Sequence, residues 1–294
     1  MLFPCRTRIL NALGRYLRPA AIEEALSAIA AEPWVAVAGC TDYYCRPSAR
    51  PTTDPVLDLT GLAEARGIVE AEDHVRVGAL TTWTEVGAAT LPGEYEALRE
   101  AARQVGGVQI QNAGTIGGNL CNASPAADGV PPLLALDAAV ELRSLAGTRV
   151  LPLDRFILGN RRTALRPDEL LTAILVPKRG GRRASRFLKL GARAYQVISI
   201  VMVAAVLEAD GTGRVAAAAV AVGACSAVAQ RLPALEQALL GRDLTTELLS
   251  SRVEEAHLAP LSPQSDIRGT AEYRLDAARL LIGRALEDVQ ERLR

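Results

Sequence analysis

Apolar residues recur at helical spacing after Pro19. Ile22, Leu26 and Ile29 fall on one face, with Pro19 near the first turn. The period then changes. The run WVAVAG, Trp34 to Gly39, is apolar throughout and ends in glycine, which predicts a buried strand entering a tight turn. PVLDL at 55–59 predicts a second strand, and the alternating HVRVGAL at 74–80 a third. Tyr95, Leu98, Ala102 and Val105 align on a helix over 94–105, and a polar, glycine-rich loop over 111–129 follows. AAVELRS and TRVLPL predict paired strands near 138–153, and ELLTAILVP closes this block at Pro177.

Polarity shifts after Pro177. KRGGRRASR, residues 178–186, is basic and contains glycine, and predicts a linker. Two long apolar runs around an Asp-Gly turn then predict a hairpin. Residues 232–240 predict a helix stopped by Gly241, and 244–257 and 271–293 two more. The pattern divides the chain into 1–177 and 178–294, the second part α+β with a helical tail.

The 294 residues balance 33 Lys and Arg against 33 Asp and Glu, which argues against a nucleic-acid binder with a basic face. The longest apolar runs, 197–207 and 215–229, do not make a membrane span, and the arginines among the first twenty residues interrupt any signal-peptide core. A cytoplasmic protein is expected. The five cysteines, Cys5, Cys40, Cys45, Cys121 and Cys225, include no C-x-x-C, and His74 and His257 are the only histidines. No metal site is expected from that set. His74 is taken as a strand-edge residue.

No dinucleotide fingerprint, P-loop, nucleophile elbow or H-E-x-x-H occurs. Two glycine-containing turns remain: AGCTD at 38–42, directly after a strand, and GTIGGN at 114–119. Gly117 and Gly118 can take angles closed to other residues, and successive N–H groups in such a turn can hold an anion without charged side chains. Thr41, Thr115, Asn119, Asn122 and Ser124 add neutral donors, while an ionised Asp128 can only accept. A diphosphate suits such a site. Two ordinary glycine turns would carry the same letters.

VAVAGCTDYYCRP, VRVGALTTWTEV, VQIQNAGTIGGNLCNASPAADGVPPLLALDAAVEL and SPQSDIRGTAEYR stand in this order. Together they resemble the FAD-binding subunit of the molybdenum hydroxylases, a family that includes the medium subunit of carbon monoxide dehydrogenase and the flavin domain of xanthine dehydrogenase. The resemblance runs from Pro19 to the final helix. It implies an α+β protein: a vanillyl-alcohol-oxidase-type FAD domain over 1–177, in two α/β subdomains of about 1–60 and 61–177, then a C-terminal α+β domain over 178–294. It further implies that Ala36, Val37, Ala38, Gly39, Cys40, Thr41, Asp42 and Tyr43, with Thr115, Ile116, Gly117, Gly118 and Asn119, wrap the diphosphate and its neighbours. Asp128 resembles the family's FAD-contacting aspartate. Leu171 and Lys189 resemble positions flanking the flavin, and Val105 falls where xanthine dehydrogenases have an aromatic.

Three residues depart from the pattern: Cys40 for a usual glycine, Gln111 for Arg or Lys, and Gln196 for a common Asp. The implied function is electron transfer. A large molybdenum-cofactor subunit oxidises substrate, a [2Fe–2S] subunit relays electrons, and this chain's FAD passes them to NAD⁺, dioxygen or another acceptor. A dimer of heterotrimers is the implied assembly. No residue is expected to act as a general acid or base. Tyr43 and Tyr44 have two readings, packing on the cofactor or packing between subdomains. The basic run 179–186 is read as a solvated linker, with an acidic partner as the other possibility. A stand-alone flavin oxidase and a cofactor-free assembly module are the alternatives for the whole chain.

Overall fold

The computed structural model describes residues 14–44 and 54–294. Cys5, Cys45 and the arginines at 6 and 8 lie outside the described residues. The chain opens with β1 (Tyr16–Leu17), α1 (Ile22–Ala31), β2 (Val35–Val37) and β3 (Val56–Asp58). The three strands form a parallel sheet in the order β1–β3–β2. Helix α1 buries Ile22, Ala25 and Leu26 on it, and the acidic Glu23 and Glu24 suit the positive end of the helix. Leu80 and Leu170 from the next sheet join this core, so the first layer is docked by apolar packing. Strand β2 differs from the sequence expectation. It is an edge strand with Ala36 exposed and Val37 buried, because one face looks into a cleft.

The second unit comprises β4 (Ile68–Glu70), β5 (His74–Gly78), α2 (Trp83–Ala88), α3 (Glu96–Ala102), α4 (Val108–Ala113), α5 (Ile116–Asn122) and α6 (Val130–Ala135). It continues through β6 (Ala139–Ser144), β7 (Gly147–Pro152), α7 (Leu153–Phe156), a small hairpin of β8 (Ile157–Gly159) and β9 (Arg162–Thr163), and β10 (Leu170–Pro177). Its five-stranded sheet has the order β4–β5–β10–β6–β7 and is antiparallel throughout. His74 begins β5, opposite Pro177, with its ring on the Asp73 carboxylate. The stretch 111–129, expected as a loop, is largely helical. Its polar letters hide a buried face of Ile116, Gly117 and Leu120, and Thr115 caps α5 by accepting from the Gly118 N–H.

The C-terminal sheet has the order β11 (Arg182–Leu190), β12 (Val201–Ala209), β13 (Val215–Gly223), β14 (Gln230–Arg231), all antiparallel. Helices α8 (Pro233–Leu239) and α9 (Ala271–Arg292) complete it. Strand β12 is apolar from Val201 to Leu207 because both faces are covered there. Val201, Val203, Ala205 and Leu207 pack in the core under α9, while Met202, Ala204 and Val206 belong to the core of the second unit. The two units therefore share one interior.

Two further expectations change. The linker shrinks to 178–181, since β11 begins at Arg182. Its basic residues meet acids of their own chain: Arg179 pairs with Asp137, Arg183 with Glu208, and Arg186 with Glu100 and Asp288. Residues 244–257 hold a short 3-10 turn, Leu249–Arg252, and the start of a second, Glu255–Leu258, in place of a helix. The Asp243 carboxylate draws off the Thr245 and Thr246 N–H groups, and the Gln290 side chain donates to the Leu244 and Glu247 carbonyls.

One contact fixes how the first sheet meets the second. A Cβ on Gly39 would lie 1.9 Å from the Ala113 carbonyl oxygen, so only glycine permits this approach. Gly39→Ala is expected to cost roughly 2–4 kcal/mol in chemical denaturation. Gly211→Ala, whose Cβ would meet nothing within 4 Å, is expected to stay within about 0.5 kcal/mol of the parent.

Candidate functional site

A cleft of about 400 Å³ opens between the first sheet and the α4–α5 segment. One wall is residues 35–43, the other Gly114, Thr115, Gly117, Gly118, Asn119 and Asn122. Val105, Leu165, Leu170 and Leu171 give it an apolar end.

The two walls supply donors unequally. Cys40 has φ 57°, and the chain after it closes a turn in which the Tyr44 N–H donates to the Cys40 carbonyl at 3.4 Å. Among the described residues, no acceptor takes the amide N–H of Cys40, Thr41 or Asp42. Three successive free amides at a left-handed residue make a concavity suited to an anion. The turn at 114–119 was expected to do the same, and it does not. Its N–H groups are used internally: Ile116 donates to Thr81, Gly117 to Ala79 at 2.8 Å, Gly118 to the Thr115 hydroxyl and Asn119 to the Thr115 carbonyl. Gly117 and Gly118 have ordinary helical angles rather than left-handed ones. Gly117 is needed because a Cβ would lie 2.7 Å from Ala79, and Gly118 is an exposed residue of the cleft wall.

Of the residues singled out in the sequence, Ala36, Val37, Ala38, Gly39, Cys40, Thr41, Asp42, Tyr43, Val105, Thr115, Gly117, Gly118, Asn119, Asn122 and Leu171 line this one cleft. Four do not. Ile116 is fully buried beneath α5. The Ser124 hydroxyl accepts from the Ala126 N–H in a local turn. Asp128 and Lys189 form a buried ion pair at 2.7 Å, behind the Val105 end. Lys189 also donates to the Gln104 carbonyl at 3.1 Å, and the Ser199 hydroxyl donates to Asp128 at 2.5 Å. Burial pushes the Asp128 carboxyl up, while Lys189 and Ser199 pull it back. The pair thus holds the backbone that presents Val105, and it spans the two units.

Sequence reasoning missed Val35, Leu59, Ala79, Leu80, Trp83, Ile110, Cys121, Leu165 and Leu170 as lining residues. The signal for part of this set was the segment GALTTWTEV. It follows β5, and its Thr81 carbonyl and Trp83 N–H grip Ile116 and Gly114. Tyr43 lines the cleft, and Tyr44 stands exposed, edge-on to it at 5.0 Å. Gln111 donates to the Arg103 carbonyl, outside the lining set. Gln196 has φ 51°, and its N–H reaches the Gly106 carbonyl beside Val105.

The cleft can bind rather than cut. Among the described residues, its lining includes no Lys, Arg or His, and its one carboxylate is Asp42. Burial pushes the Cys40 thiol up, away from the thiolate form a nucleophile needs. Among the described residues, no cluster of three or more His, Cys, Asp or Glu could hold a metal ion, and no helix is long and apolar enough to cross a membrane. Free amides, neutral hydroxyls and an apolar end fit an elongated cofactor with a diphosphate and a flat ring.

Comparison with known proteins agrees. Residues 10–179 match the model of the FAD-binding domain in molybdopterin dehydrogenase, and 186–289 that of the CO dehydrogenase flavoprotein C-terminal domain. The nicotinate dehydrogenase FAD-subunit of Eubacterium barkeri is 34% identical over 76% of this chain and 78% of its own. The xanthine dehydrogenase FAD-binding subunit of Escherichia coli O157:H7 is 31% identical over 88% and 90%. Reconstituted CO dehydrogenase from Oligotropha carboxidovorans contains a chain that superposes with a TM-score of 0.87 at 27% identity, over 95% of this chain and 98% of that one. The family models together match most of the chain, and the chain belongs to the molybdopterin dehydrogenase FAD-binding family, with FAD as its cofactor.

Proposed function

We propose that this chain is the flavoprotein subunit of a molybdenum hydroxylase complex, an oxidoreductase component that carries electrons from iron–sulfur clusters through FAD to a final acceptor. The observation that carries the reading is the cation-free cleft lined by the free amides of residues 40–42. When bound, FAD supplies a carrier that exchanges electrons singly or in pairs. The chain's own residues do the rest. Cys40, Thr41 and Asp42 amides and the hydroxyls of Thr41 and Thr115 hold the phosphate-bearing part. Val105 and Leu171 exclude water at the ring end. Asp128, Ser199 and Lys189 act behind the wall, fixing Gln104 and so Val105.

The partners follow from what the chain carries. Five cysteines without a C-x-x-C and two histidines supply no ligand set for a cluster, so electrons arrive from another chain. Relatives are named as FAD or medium subunits, which supports a [2Fe–2S] subunit and a large molybdenum-cofactor subunit as partners, paired as a dimer of heterotrimers. We place the complex in the cytoplasm. Division at Pro177 into an FAD-binding domain and a C-terminal domain accords with the change of sheet between β10 and β11.

The purified chain is expected to show flavin absorbance that acid releases into the supernatant; a colourless chain that also takes up no added FAD would end this reading. Gly118→Val should lose at least about ten-fold in FAD affinity, since the side chain enters the cleft, with a smaller loss of stability, since its Cβ would lie 2.9 Å from the Thr115 hydroxyl that caps α5. Gly117→Val should instead lose stability by roughly 2–4 kcal/mol, through the clash with Ala79. At Cys40, where φ is 57°, glycine should bind FAD as well as the parent does, and valine should lose both stability and FAD. Thermal melts and flavin fluorescence titration read both effects.

A further inference from the structure

The cleft presents an electrostatic problem. A diphosphate is doubly anionic, yet among the described residues the only charged side chain in the lining is the carboxylate of Asp42. An anion beside an anion is repelled unless a cation stands near. That cation comes from outside the lining set. Residues 160–161 turn the chain between β8 and β9, and Arg161 takes the left-handed conformation at φ 58°. Its N–H donates to the Ala123 carbonyl at 2.8 Å, where Ala123, also left-handed at φ 46°, ends α5. Two left-handed residues thus lock the hairpin tip onto the last turn of a cleft-lining helix.

This lock aims one side chain. The Arg161 guanidinium donates to the Asn122 side-chain amide oxygen and lies 3.8 Å from an Asp42 carboxylate oxygen. Asn122 in turn donates to Asp42 at 3.0 Å. Asp42 belongs to the first wall, Asn122 to the second, so the three side chains form a bridge across the mouth. Arg161 is more than half exposed and has five donors, most of them uncommitted. Arg162 is the next residue along, and no acid pairs with it among the described residues.

We infer that Arg161 is an anion-contacting residue of the cleft: it neutralises Asp42 and turns its remaining donors to the diphosphate of the bound cofactor, closing the mouth over it. The inference rests on the reading of the cleft as an FAD site. A guanidinium suits this role because its planar fork matches phosphate oxygens in pairs.

The test is fluorescence titration of FAD into the apo chain at low salt and at roughly 0.5 M salt, where charges beyond contact distance are screened. Asparagine accepts the left-handed conformation, so Arg161→Asn removes the charge without straining the turn. Arg161→Asn is expected to weaken FAD binding about ten-fold at low salt and to flatten the salt dependence. Arg161→Lys should recover part of the loss, since charge remains without the fork. Arg162→Asn should match the parent. Parent-like affinity and salt dependence in Arg161→Asn would overturn the inference while leaving the FAD site intact. A loss equal at both salt concentrations, or matched by Arg162→Asn, would also overturn it, by making the bridge a structural latch only. A parent chain that takes up no FAD would overturn the cofactor reading itself, and this inference with it.

Discussion

The backbone of Gly39 touches the backbone at Ala113, and the rest of the site follows from that contact. A methyl group there would sit 1.9 Å from a carbonyl oxygen, so the approach exists only for glycine. The contact sets the parallel first sheet against α4 and α5 at a fixed spacing. The free amides after Cys40 then face the exposed side of Gly118 across one cleft. The same economy recurs at Gly117 against Ala79 and at Gly129 against the Trp83 ring. In each case glycine is chosen for distance, not for a left-handed angle.

A site of amides and hydroxyls avoids desolvating lysines, but among the described residues it leaves Asp42 as the only charge in the lining. Charge is instead kept at the two ends. At the mouth, Arg161 and Asn122 bracket Asp42 in solvent. Behind the apolar end, Lys189 and Asp128 pair in the interior, with Ser199 as a third member. The buried pair is satisfied on both sides, as a charge at that depth requires. Because Lys189 comes from β11 and Asp128 precedes α6, the pair also ties the C-terminal sheet to the wall that presents Val105. The shape of the apolar end thus depends on the docking of a sheet that lines none of the cleft.

Periodicity alone determined the strands at β5, β6, β7 and β10, the hairpin of β12 and β13, and the final helix. Each of these except the largely exposed β7, which pairs along β6, buries a regular face, so its pattern survives in the letters. The quoted segments also fixed the family and most of the cleft, since the glycines and Thr115 are local requirements of turns and caps. Tertiary structure decided the rest. Whether the amides of 114–119 or those of 40–42 were free depended on the folded chain: the distant 79–83 segment accepts from Ile116 and Gly117, and Thr115 accepts from Gly118 and Asn119. The C-terminal half of the basic run, from Arg182, became strand β11 rather than linker, with Arg183 and Arg186 paired to Glu208, Glu100 and Asp288. The polar stretch 111–129 became helical because Ile116 and Leu120 found a core. Short elements with few apolar letters carry too little periodicity to declare themselves. Their state is set by partners distant in sequence, which only the folded chain brings into contact.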